Sequence, residues 1–198
     1  MDGILGILYV ALGAIIVENF VLVRILGIDP LLAASGKQGI HAGTCLSYVF
    51  FMGFAGTVGW LISEYLLVPL RLEYLKTVVF VLVIVAFTQL VSVFLGKLAP
   101  SLHKALGLGA PQITLNSAVL GVALLVTESG QSYSLLGALA YSFAAAVGFL
   151  LVLVLFSGIR ERLQFSDCPA SFEGLPIALV TVSLLAMVFT GFSGLKLF

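Results

Sequence analysis

The stretch Thr77-Val-Val-Phe-Val-Leu-Val-Ile-Val-Ala-Phe-Thr-Gln-Leu-Val-Ser-Val-Phe-Leu-Gly96 is twenty residues long and carries no charge. A helix needs about 20 predominantly apolar residues to cross the hydrocarbon core of a bilayer. Five more segments of this kind run from about Ile4 to Leu26, Ala42 to Ser63, Pro111 to Thr127, Tyr133 to Ser157 and Gly174 to Leu195. In lipid the backbone must satisfy its own hydrogen bonds, and no period-two alternation points to strands, so all six are expected to be helices. The predicted fold is an all-α integral membrane protein of six transmembrane helices, a single membrane domain over residues 1–198.

Composition agrees. The chain is 61% hydrophobic and 9% charged, with a mean hydropathy of +1.23, whereas a soluble domain carries about 25% charged residues. So few charges cannot cover a water-facing surface. A formal net charge of zero, without a basic or acidic tail, gives no reason to expect nucleic acid. The N-terminus is apolar almost at once and lacks a basic region or a small-residue cleavage site, so the first segment reads as a retained helix. The two cysteines, Cys45 and Cys168, lie in different segments with no metal-type spacing.

Loop charge predicts the orientation. The loops after the first, third and fifth segments carry Arg24, Lys37, Lys97, Lys104, Arg160 and Arg162; the opposite side has only Arg71, Lys76 and Lys196. That bias places the Arg160 side in the cytoplasm and both termini outside. An odd number of helices per half, over about 1–97 and 98–198, implies two copies inverted in the membrane. Asn19-Phe-Val-Leu-Val and Asn116-Ser-Ala-Val-Leu occupy corresponding places in the first helix of each half. Inverted repeats with interrupted first helices are a known way to build a site near the bilayer midplane.

The candidate functional residues sit at those interruptions. Glu18 and Asn19 lie well inside the first segment, where an ionisable or polar group is costly and is a candidate for an ion pathway; a structural hydrogen-bonding role is the competing reading. Asp29-Pro30, at the end of that segment, reads from spacing alone as a turn. Pro111-Gln-Ile-Thr-Leu-Asn-Ser117 opens the fourth helix with small polar groups, which suit either a helix break lining a cavity or close packing. Gly53, Gly56 and Gly59 read as close-packing positions. His41 and His103 fall at or outside helix ends and are expected on the surface. Gly158-Ile-Arg-Glu-Arg-Leu163 has the mixed charge of a helix end emerging into water.

Four motifs together resemble a known family. Glu18-Asn-Phe-Val-Leu-Val-Arg-Ile-Leu-Gly27 is similar to the first helix of the RnfA/RsxA and NqrE members of the NqrD/NqrE–RnfA/RnfE family. Asn116-Ser-Ala-Val-Leu-Gly-Val-Ala-Leu-Leu125 looks like its fourth-helix signature. Gly158-Ile-Arg-Glu-Arg-Leu163 and Met187-Val-Phe-Thr-Gly-Phe-Ser-Gly-Leu195 resemble its fifth-helix end and C-terminus. The resemblance implies a subunit of an Rnf/Nqr-type complex of the prokaryotic inner membrane that couples electron transfer to Na⁺ or H⁺ transport. It further implies flavin- and iron–sulfur-bearing partner subunits and a homologous six-helix RnfE/NqrD-like subunit of opposite topology. In the family the homologous pair shares a [2Fe–2S] cluster, each member giving one Cys from the end of helix one and one from helix four.

This sequence departs from that pattern at both ligand positions. The family's Gly-x-Cys reads Gly27-Ile-Asp29 here, and its Asn-Cys reads Asn116-Ser117. Clusters are held mainly by cysteine thiolates, and Cys45 and Cys168 lie elsewhere in the chain. The expectation is a modified or absent cluster. The alternatives are an ion or small-solute transporter subunit with an oxygen-lined site at Glu18, Asn19, Asp29, Asn116 and Ser117, or a structural scaffold.

Overall fold

The computed structural model describes residues 4–17, 19–29, 42–106, 116–128, 133–163, 165 and 168–192. Eight α-helices lie among them: α1 (Ile4–Leu12), α2 (Phe20–Val23), α3 (Ala42–Ile62), α4 (Lys76–Leu98), α5 (Pro100–Ala105), α6 (Ser117–Val126), α7 (Leu135–Leu163) and α8 (Leu175–Thr190). No strand occurs among the described residues. Three helical stretches, Gly43–Leu67, Glu73–Leu98 and Leu135–Leu163, are long and apolar enough to span a membrane, and shorter apolar helices accompany them.

The interruption expected in the first segment is present. After α1 the backbone widens into a π-helical turn over Gly13–Val17, Asn19 is extended, and the four-residue α2 follows. In the fourth segment the described residues begin at Asn116, and residues 111–115 lie outside them. Its only described helix within the predicted span is α6, ten residues long and started by an extended Asn116. At about 1.5 Å per residue, α6 covers roughly 15 Å, half a hydrocarbon core.

The core sits where α3 packs against α6 and α7, with α1 against α7 and α8 against α2. Phe20, Met52, Val122, Ala146 and Phe149 are fully enclosed there. Lipid offers no hydrophobic drive for helices to associate, so small residues that admit close contact must supply the packing. The glycines of α3 do this. A Cβ on Gly56 would run into Ser142 of α7, one on Gly53 would meet the ring of Phe143, and one on Gly59 would meet Ala123 of α6. α4 instead turns Val78, Leu82, Leu90, Val93 and Phe94 outward, the surface expected of a lipid-facing helix.

Two expectations need correction. His103 is not a surface residue beyond a helix end: it lies within α5, half-buried, and its Nε2 pairs with Ser92 Oγ of α4 at 3.0 Å. Lys104, counted above as a loop charge, is in α5 too. The fifth helix runs beyond its apolar part through Arg160-Glu-Arg162 to Leu163, as the mixed charge of Gly158–Leu163 indicates for a helix end entering water.

Candidate functional site

Asn19 explains how a spanning helix can break where it does. With φ −60° and ψ 102°, it leaves the helical region, and its Oδ1 accepts from the Val21 N–H at 3.2 Å, capping α2. Its Nδ2 donates to the Ile15 carbonyl and to the Gly148 carbonyl of α7, both at 3.0 Å. The buried amide thus supplies donors to backbone carbonyls that lipid could not satisfy. Gly148 makes the approach possible, since a Cβ there would lie 3.1 Å from Asn19 Nδ2 and 3.2 Å from Ile15 Cα.

Asn116 repeats the capping part of this arrangement in the second half. It is extended (φ −72°, ψ 125°), buried, and caps α6 by accepting from the Ala118 N–H at 2.7 Å. Its side-chain amide is buried beside the Tyr48 hydroxyl. Beneath the two caps lies an aromatic group in which Phe149 stacks on Phe20 and meets Tyr48 edge-on, with centroids 6.4 and 5.1 Å apart.

The chain after α2 crosses the start of α6. Ile25 (φ 54°) and Gly27 (φ 76°) both occupy the left-handed region, which is rare for a β-branched residue. Gly27 is required on two grounds: its φ, and a Cβ position only 2.5 Å from Ala118 Cβ. Its N–H donates to Ser117 Oγ at 2.9 Å, and that hydroxyl donates to Asp29 Oδ2 at 3.5 Å. Asp29 and Ser117, far apart in sequence, are therefore neighbours. Asp29 is exposed on this chain and Ser117 half-buried. Glu18 lies outside the described residues.

A cleft of about 430 Å³ runs along α6 from Ser117 past Leu120, Gly121 and Leu124 to Glu128. At its far end Arg24 pairs with Glu128 at 3.5 Å, and Lys76 Nζ donates to the Thr127 carbonyl at 2.7 Å. Sequence reasoning treated Arg24 and Lys76 only as topology charges and missed Glu128. Their gathering was not visible, because it depends on how α2, α4 and α6 meet.

The donor set does not fit an iron–sulfur cluster. Two oxygen side chains face each other at the positions where the resemblance expects thiolates, and the Ser117 hydroxyl is already engaged as acceptor from Gly27 and donor to Asp29. Cys45 lies in α3 and Cys168 follows α7, both as free thiols. No group of three or more His, Cys, Asp or Glu that could hold a metal occurs among the described residues.

Comparison with known proteins places the chain in context. A family model described as "Rnf-Nqr subunit, membrane protein" matches residues 7–196. The A component of the ion-translocating oxidoreductase complex of Edwardsiella ictaluri (strain 93-146) is 44% identical over 191 residues, covering 96% of this chain and 98% of that protein. The same component from Syntrophotalea carbinolica is 43% identical, covering 96% of this chain and 97% of that protein. That of Citrobacter koseri is 46% identical over 92% and 94% respectively.

Proposed function

The chain belongs to the Rnf-Nqr family of membrane subunits, and from that premise we propose how it works within an ion-translocating oxidoreductase complex. It is a membrane subunit of such a complex, which couples electron transfer to the movement of Na⁺ or H⁺ across the bacterial inner membrane. Its partners are a homologous six-helix subunit of opposite topology and further subunits bearing flavin and iron–sulfur groups. Both termini face outward, and the halves 1–97 and 98–198 are inverted copies. The matching Asn caps at residues 19 and 116, each on an extended residue that starts a short helix, support that repeat.

Within this frame the chain carries an oxygen-lined site in place of the family's cluster edge. The observation that carries the reading is the Gly27 N–H···Ser117 Oγ···Asp29 arrangement. It keeps the two family ligand positions side by side while replacing both thiolates with a carboxylate and a hydroxyl. A cluster bridging this chain and its partner would lack half of its thiolate ligands here. The chain alone is not catalytic on this account.

A second reading is that Asp29 and Ser117, with Glu18, Asn19 and Asn116, serve a hard cation, which prefers oxygen ligands. The Asp29 carboxylate beside the Ser117 hydroxyl supports it. Ion uptake by inverted membrane vesicles, driven by the complex's electron donor, tests both. Asp29→Asn and Glu18→Gln are expected to slow ion uptake more than electron transfer. Unchanged uptake in both variants would remove the cation role and leave a scaffold role, in which Asp29 and Ser117 tolerate apolar replacement without loss beyond assembly. Purification through a tag on this chain is expected to bring down flavin- and iron–sulfur-bearing subunits; their absence would contradict the complex assignment.

A further inference from the structure

The two capping asparagines differ in what meets the nitrogen side of the amide. Asn19 Nδ2 donates to two backbone carbonyls, those of Ile15 and Gly148. Asn116 commits its Oδ1 to the Ala118 N–H at 2.7 Å. Its Nδ2, on the other side of the same planar group, then needs an acceptor in a buried setting. Tyr48 of α3 brings its hydroxyl there.

Tyr48 is held in place. It is 2% exposed, and its ring meets Phe149 of α7 edge-on, so close packing leaves the phenol no room to swing aside. The Asp29 carboxylate is near enough to act on the hydroxyl through space. Three parts of the chain thus converge: α3 through Tyr48, the start of α6 through Asn116, and the segment after α2 through Asp29. The last two meet at Ser117, the residue after Asn116, whose Oγ accepts from the Gly27 N–H at 2.9 Å and donates to Asp29 Oδ2 at 3.5 Å. A 3.5 Å contact is at the outer limit of a hydrogen bond. A small turn of the α6 start would therefore part the hydroxyl from the carboxylate.

We propose that Tyr48 is a positioning residue for the Asp29–Ser117 site: its hydroxyl accepts from Asn116 Nδ2, fixes the amide that caps α6, and so sets where Ser117 Oγ stands against Asp29. Tyr48 touches no ion itself on this account, and the inference rests on the cation reading of that site given above. A phenylalanine would fill the same space and keep the contact with Phe149, while the Asn116 amide would lose its acceptor. A buried donor left without a partner turns toward another acceptor or takes in water, and either moves the start of α6.

Ion uptake by inverted vesicles containing the complex, driven by its electron donor and measured over a range of ion concentrations, tests this. The ion is whichever of Na⁺ and H⁺ the unmodified complex takes up, followed with radiolabelled Na⁺ or a pH-sensitive dye. Tyr48→Phe is expected to raise the half-saturating concentration about five-fold, the effect of one ordinary hydrogen bond, and to change the maximal rate less. Asn116→Ser keeps a capping oxygen but removes Nδ2. It should give the same shift, and the double variant should add nothing further. Shifts that add in the double variant would overturn the proposal. So would a Tyr48→Phe complex that is less heat-stable but has an unchanged half-saturation, the mark of a purely structural role. Asp29→Asn separates this inference from the reading beneath it. If Asp29→Asn shifts the half-saturation and Tyr48→Phe does not, the cation site stands and the role of Tyr48 falls. If neither shifts it, both fall.

Discussion

One asparagine side chain lets this protein interrupt a helix inside a bilayer. Asn19 donates to two backbone carbonyls and accepts from one backbone N–H, so Asn19→Ala strands two buried groups and one part-buried carbonyl. Unsatisfied buried groups cost about 1–3 kcal/mol each, although interhelical hydrogen bonds measured in membranes average nearer 0.6 kcal/mol. A net loss of about 2 kcal/mol is expected, read as a lower unfolding temperature of the detergent-purified complex. Gly27 offers a sharper contrast. Gly27→Ala and Gly174→Ala both place a side chain at positive φ, but only at Gly27 does the new Cβ meet a neighbour, Ala118. Both should lose about 1 kcal/mol from backbone strain, and Gly27→Ala should lose measurably more; equal losses would show that the crossing at Ala118 can relax. The importance of Asn19 and Asn116 was legible, because a polar residue in a long apolar run is conspicuous. Gly27 was not, since a glycine near a predicted helix end gives no sign of which distant residue it touches.

At the scale of elements, the apolar runs predicted the long helices to within a few residues, and the close-packing role of the α3 glycines was readable from their spacing. Their partners were not. Gly56 faces Ser142 and Val122, whereas Gly158 in α7 has nothing within 4 Å of its Cβ position. Gly56→Val should therefore force α3 away from α7 and reduce the yield of assembled complex severely, while Gly158→Val should assemble normally. Thermal stability of the two variants decides this; similar behaviour would mean that the α3–α7 contact is not what holds the bundle. α5 escaped the sequence reading for a related reason. Six residues opened by Pro100 and containing His103 and Lys104 look like a polar turn, and only the pairing of His103 with Ser92 shows that they fold back along α4.

For the whole molecule, charge is sparse enough that each group has a position to explain. The Arg24–Glu128 pair is half exposed on both sides, and such pairs contribute about 0–1 kcal/mol. Arg24→Gln is accordingly expected to leave assembly intact, so any large loss of ion transport in that variant would report on the cleft rather than on folding. The membrane class was decided by composition, and the family by motifs spread along the chain. The meeting of Asp29 with Ser117 was foreseen only through family resemblance, because nothing in either segment names the other. The account turns on what that meeting can hold, and iron is the most direct witness. Iron and acid-labile sulfide per complex, with the EPR spectrum of the reduced protein, should be compared between the unmodified complex and the Asp29→Cys plus Ser117→Cys variant. The account predicts no intramembrane [2Fe–2S] signal in the unmodified complex, and a gain of about two irons per complex in the variant if the partner supplies its own thiolates. A full intramembrane cluster signal in the unmodified complex would contradict it.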